Sequence, residues 1–258
     1  MITEATLVSG REPILAATDW HPYARHSIKP DTDATGLHSA GTTVWTSSGS
    51  PSGYALGDPR RAVELFTTSA MFRSADWLHL PRVTDPAVLD GLRVSQRDEW
   101  DFLWTAEQPP QQPDEDLVVP LTDADHPAMT ALIDASFPTS TARPGDPRIR
   151  GWYGIWSGDR LVACGADRTH GDVGFLAGLV VSDRDRGRGL GATLTSAMTR
   201  RMFERYDRVA LGVWTHNERV TRLYQRLGYT GRVGRTSVRL SAGSPESVGS
   251  AGSAGCAG

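Results

Sequence analysis

Arginine and glycine alternate through Arg186-Gly187-Arg188-Gly189-Leu190-Gly191. The run follows an apolar, β-branched end, Leu179-Val180-Val181, and precedes Leu190, Leu194, Met198 and Met202, an apolar residue at every fourth position. The order predicts a buried strand, a glycine loop and the start of an amphipathic helix. Such a junction can hold an anion. The first amides of a helix have no internal partner, and the helix dipole makes them partly positive. Glycines let the backbone approach a pyrophosphate without a Cβ between, and Arg186 and Arg188 add fixed charge. A tight strand-to-helix turn without a ligand has the same composition. The glycine spacing is neither the dinucleotide fingerprint nor a P-loop, since no Gly-Lys-Ser/Thr follows.

A second group of chemically capable residues lies downstream. Tyr224 follows Asn217 by seven residues, two helical turns on one face. A phenol can donate a proton to a developing anion, or it can pack between helix and sheet. Asn217 can cap a helix or bind a ligand amide. Arg219, Arg222 and Arg226 make a basic helix face, either solvated or in contact with a phosphate. His21, His26 and His38 lack metal-ligand spacing, and Cys164 reads as a small buried hydrophobe.

The elements that must position these residues follow from periodicity and punctuation. Residues 117–121 read as a strand, and Asp125-His126-Pro127 starts a helix to about 135. Residues 151–156 and 161–167 read as a hairpin across Ser157-Gly158-Asp159. Residues 172–181 form the strand entering the glycine loop, and the helix after it ends near 206. Residues 208–214 are strand-like, 217–227 a helix stopped by Gly228, and 229–240 closing strands. Residues 137–150, with three prolines, are irregular.

Upstream the signals are thinner. A short helix is expected over 12–17, with Trp20, Tyr23 and Trp45 as packing anchors. Asp58-Pro59 starts a helix to about 72, and Thr84-Asp85-Pro86 starts a short one. Trp100, Phe102 and Trp104 alternate as in a strand over 99–105. Pro109-Pro110-Gln111-Gln112-Pro113 opens a polar linker. The expected organisation is an N-terminal α+β domain over 1–108, a linker over 109–116, a second domain over 117–242, and a disordered Gly/Ser/Ala tail over 243–258.

The motif at 186–191 resembles the Arg/Gln-x-x-Gly-x-Gly/Ala signature of the GNAT superfamily of acyl-CoA-dependent N-acyltransferases. Residues 217–229, Asn-Glu-Arg-Val-Thr-Arg-Leu-Tyr-Gln-Arg-Leu-Gly-Tyr, resemble its second signature. The resemblance spans about residues 117–240. It implies an α/β (α+β mixed sheet) fold: a GNAT-like domain with splayed central strands, preceded by a smaller α+β domain. Acetyl-CoA would be the co-substrate, with no metal. The amides around Arg188 to Ala192 would take its pyrophosphate, with Arg186 and Gly187 in the same cofactor site, and Leu179, Val180 and Val181 would take its pantetheine arm, one amide there polarising the thioester. Asn217 would also contact pantetheine, and Tyr224 would be the general acid. Some family members carry a base Glu at the position of Phe175, so the base here is open among His170, Asp172, His216 and water, with His216 favoured. Residues 1–108 would be a degenerate acyltransferase-like unit, without a matching glycine loop. The implied function is N-acetyl transfer to a small-molecule or peptide amine in a ternary complex. A non-catalytic acyl-CoA sensor or interaction module is the alternative.

Composition constrains the partners. The 258 residues carry a net charge of −3, which disfavours nucleic acid. Two cysteines, far apart, point to a reducing compartment, and no run is long enough to span a membrane, so a cytoplasmic protein is expected. Trp152, Tyr153, Trp156 and Trp214 are candidates for an aromatic acceptor pocket. A homodimer is one candidate assembly.

Overall fold

A computed structural model describes residues 4–241; the expected tail over 243–258 lies outside them. Each half of the chain builds the same kind of unit. In the first, strands β1 (Thr6–Ser9), β2 (Ala34–Ser39), β3 (Thr42–Ser47) and β4 (Ser52–Leu56) run antiparallel, with helices α1 (Arg11–Ala16) and α2 (Pro22–Ser27) between β1 and β2. Helix α3 (Pro59–Thr68) then crosses to β5 (Trp77–Pro81), parallel to β4. The half ends on β6 (Val94–Thr105). In the second half, β7 (Val119–Leu121), β8 (Gly151–Ser157), β9 (Arg160–Asp167) and β10 (Gly174–Val181) are antiparallel, with α4 (His126–Ser136) between β7 and β8. Helix α5 (Leu190–Met202) crosses to β11 (Val209–Trp214), parallel to β10. Helix α6 (Glu218–Arg226) leads to the last strand, β12 (Gly231–Leu240).

The halves share one twelve-stranded sheet of order β1-β2-β3-β4-β5-β12-β6-β11-β10-β9-β8-β7. Their last strands are exchanged. β6, from the first half, lies against β11, and β12, from the second, lies against β5. β6 and β12 also pair with each other, from Gly231↔Trp104 to Leu240↔Val94. Residues 1–108 and 117–242 therefore do not form separate sheets. The proline-rich stretch between them is strapped to α5 rather than free: Thr193 Oγ1 donates to Pro113 O at 3.0 Å, and Ser196 Oγ to Pro110 O at 3.2 Å.

Apolar periodicity accounts for the packing. Leu194, Met198 and Met202 of α5 close one core against Val162, Leu176 and Leu211. Met129, Leu132 and Ile133 of α4 close another with Trp152, Cys164 and Val180. Burying one such side chain contributes about 1.5–3 kcal/mol. Val63 and Phe66 of α3 cover a third cluster. The fourth spans both halves, joining Tyr23, Trp45 and Phe102 to Val173 and Ala210. Tyr23 and Trp45 are anchors as expected, while Trp20 is 48 % exposed. Cys164 is buried, which pushes its thiol up to about 12. Among the described residues, no helix is long and apolar enough to cross a membrane.

Candidate active site

The two halves part company at their parallel strand pairs. β10 and β11 are in register only over Gly174–Leu176 and Val209–Leu211, and beyond Leu176 they diverge. A bulge between Ala177 and Val180 bends β10 away. Gly178 sits there at φ +57°, and a Cβ would lie 2.8 Å from that of Ala142, so only glycine fits. β11 turns its far edge to β6, pairing Gly212 with Phe102 and Trp214 with Trp100. The inner edge of Leu179, Val180 and Val181 thus faces open space, and all three line the cavity below.

The mouth of α5 is open too. Gly189 is its N-cap, at φ +85°, with no side-chain cap. Among the described residues the amides of Gly187, Arg188, Gly189, Leu190 and Gly191 donate to no protein acceptor; Ala192 and Thr193 turn theirs back to Gly189 O. Arg186 pairs with Asp183 at 2.6 Å and Arg188 with Asp185 at 2.9 Å, both guanidinium groups half exposed. Asp185 also takes Arg160 at 2.7 Å, and these arginines hold its carboxyl down to about 2.

The first half has the same frame with both openings filled. At the mouth of α3 the Asp58 carboxylate accepts from the Arg61 amide at 2.8 Å. Past the last β4–β5 pair, Tyr54↔His79, a guanidinium bridges the strands. Arg235 of β12, fully buried, donates through Nη2 to Ala55 O at 2.8 Å and His79 O at 2.7 Å, and lies 3.8 Å over the Tyr23 ring.

A cavity of about 1260 Å³ joins the open strand edge to the open helix mouth. Gly187, Gly189, Leu190, Gly191, Ala192 and Arg186 line one end. Asn217 and Tyr224 line it from α6. Asn217 Oδ1 accepts the Val220 amide at 3.3 Å, which caps the helix and leaves its NH₂ to the cavity. Tyr224 is buried against Tyr229, and burial raises its hydroxyl well above the usual phenol range. That hydroxyl has no hydrogen-bond partner among the described residues.

Other expectations are redistributed. His216 is exposed and is not on the cavity wall, so it is not placed to act as the base. Asp172 is engaged by Arg11 at 2.8 Å and Arg25 at 3.1 Å, fastening α1 and α2 to the second half. His170 does line the cavity. Arg219 and Arg226 face it, whereas Arg222 pairs with Glu218 at 3.1 Å. Of the four candidate pocket aromatics only Trp214 lines it; Trp152 is core, and Tyr153 lies under Arg201.

Sequence reasoning missed the far wall, which the first half supplies. Tyr54, Trp77, His79 and Trp100 line it, and His26 lies 4.2 Å, ring to ring, from Phe175. Burial is the main reason that His26 and His79 are lowered to about 3 and His170 to about 4, so all three are neutral near pH 7. The available signals were the alternation of Trp100, Phe102 and Trp104, read only as a strand, and the Trp-x-His alternation at Trp77-Leu78-His79.

Residues 152–240 match a family model described as FR47-like protein. No curated protein matches the chain. Among solved structures, the chain is similar to one described as a GNAT-family acetyltransferase from Novosphingobium aromaticivorans, with 25% identity, TM-score 0.55, and coverage of 77% of this chain and 89% of that one. A GCN5-related N-acetyltransferase from Kribbella flavida shares the fold at 19% identity and TM-score 0.52, over 89% and 95% of the two chains. The open strand pair, the uncapped glycine loop and the matched segment all fall in the same place. The family match and the shared fold together support the GNAT superfamily for the C-terminal half of this chain.

Proposed function

We propose that the chain is an N-acetyltransferase that moves the acetyl group of acetyl-CoA to a primary amine of a small molecule or peptide, by direct attack in a ternary complex. One observation carries the reading: the unpaired amides at Gly187–Gly191, the free edge of Leu179–Val181 and the Tyr224 hydroxyl share a single cavity. The residues fit the co-substrate. Helix-mouth amides and Arg186 and Arg188 offer donors and charge to a diphosphate. The strand edge offers peptide groups to the two amides of pantetheine, in the manner of strand addition.

Chemistry then follows from position. An amide near Leu179–Val181 polarises the thioester carbonyl. The amine nitrogen bonds to the carbonyl carbon, the C–S bond breaks, and the thiolate takes the Tyr224 proton. The proton shed by the nitrogen passes to cavity water or to a neutral imidazole on the wall. Tyr224 suits its task because burial keeps it protonated until a thiolate forms beside it. Titration calorimetry with acetyl-CoA tests the cradle, and thiol release with an amine panel tests transfer. Absence of binding at millimolar acetyl-CoA refutes the proposal. Phe175, where some relatives carry a glutamate, favours a second reading, an acyl-CoA-binding module without turnover. Binding with no thiol release over any amine selects it.

A further inference from the structure

β10 carries Phe175 near one end and Val181 at the other, about 20 Å apart at the rise of a strand. The helix mouth is at the Val181 end. The Phe175 end is walled by the first half, and its chemistry is distinctive in two ways.

First, it is largely aromatic, with Asp98 its one carboxylate among the described lining residues. Trp77 stacks on His79 with planes 5° apart, and Tyr54 lies 5.0 Å from His79 at 23°. His79 is close enough to His26 to lower its proton affinity, and His26 is 6.3 Å from His170. Planar rings thus continue from Trp77 to the neighbourhood of His170. Secondly, the wall beyond them is cationic. Arg148 and Arg168 line the cavity there, and Lys29 and Arg150, behind the lining, act with them to depress His170. Their one ion-pair partner among the described residues is Asp146, which is 2.8 Å from Arg148 and 4.0 Å from Arg168. Arg168 lines the cavity, donates to Thr141 Oγ1 at 3.3 Å, and keeps a buried Nε with no partner.

We infer that the acceptor amine carries a flat ring and a carboxylate, as an aromatic amino acid does, and that Arg168 sets this specificity by taking the carboxylate while the stacked rings take the plane. An arginine fork suits a carboxylate, and the surplus of positive charge repels polyamines and lysine-rich peptides. This inference rests on the acyltransferase reading.

The test uses the full chain saturated with CoA, titrated with tryptophan, tryptamine and spermidine. Thiol release from acetyl-CoA with the same amines runs in parallel. Tryptophan is expected to bind at least tenfold more tightly than tryptamine and to be acetylated with the higher kcat/KM, with spermidine last. Arg168→Gln brings the tryptophan-to-tryptamine ratio near one, and Arg168→Lys leaves it between the two. CoA titration of each variant reports that it is folded. Tryptamine or spermidine preferred, no amine binding at all, or an unchanged ratio in Arg168→Gln overturns the inference. The first and last of these leave the transferase reading intact, whereas failure to bind CoA removes both.

Discussion

Gly189 and Gly191 lie two residues apart at the mouth of α5, and the same substitution is expected to act in opposite directions at the two. Gly189 is held at φ +85°, ψ −11°. A Cβ there meets no atom within 4 Å, so the penalty for Ala is conformational and not steric. The left-handed region costs an L-residue about 1–2 kcal/mol, offset in part by the stiffer unfolded chain. The net is about 1 kcal/mol. If the loop keeps its shape, this appears as lost stability, about 2–4 °C in Tm for a chain of this size. If the loop relaxes and must be pulled back by ligand, it appears as acetyl-CoA affinity weakened about fivefold. The two readouts share one quantity. Gly191 is the second residue of the helix, and its Cβ would meet Leu223 and Val181 at 3.7 Å, ordinary contact. Ala is the better helix former there, so Gly191→Ala should raise Tm by about 1–3 °C and leave affinity within twofold. Thermal melts by circular dichroism and calorimetry with acetyl-CoA measure both. If Gly189→Ala changes neither Tm nor Kd, or if the two variants behave alike, the helix mouth is not the grip described above.

Tyr224→Phe should lower kcat by about 10²–10⁴ with Kd for acetyl-CoA nearly unchanged, and an unaltered kcat in steady-state assays would remove the acid role. Calorimetry should give one acetyl-CoA per chain, because Asp58 and Arg235 fill the equivalent openings of the first half; a stoichiometry of two would contradict this. Stability should fall as pH is lowered from about 6.5 towards 4. His21, His26, His79 and His170 are all lowered, mainly by burial, so below 6.5 the unfolded chain binds more protons than the folded one. Urea melts that are flat over that window would refute the assignment of these histidines as neutral and buried.

What the sequence disclosed was local. The strand, loop and helix over 174–202 are legible because apolar spacing changes there from continuous to every fourth residue, with glycines between. Asn217 as N-cap and Tyr224 on the same face followed from helix geometry alone. The strand exchange left no such trace. Residues 99–105 read as a strand, shorter than the observed 94–105, and nothing in their composition says that the partners are 209–214 and 231–240. The far wall was hidden for the same reason: His26 meets Phe175 across some hundred and fifty positions, and only the shared sheet brings them together. Arg235 was illegible because a buried arginine is rare, and its carbonyl partners belong to the other half.

The exchange of β6 and β12 has a consequence for the integrity of the molecule. A protease nick between 109 and 116 would produce two fragments, each carrying the strand that the other's sheet requires. Neither would close its hydrogen-bond ladder unaided, while together they would re-form the long pairing between residues 94–105 and 231–240. The severed pieces are thus built to complement one another. Fragments made separately and then mixed should regain the acetyl-CoA binding proposed for the intact chain, which neither fragment should show by itself.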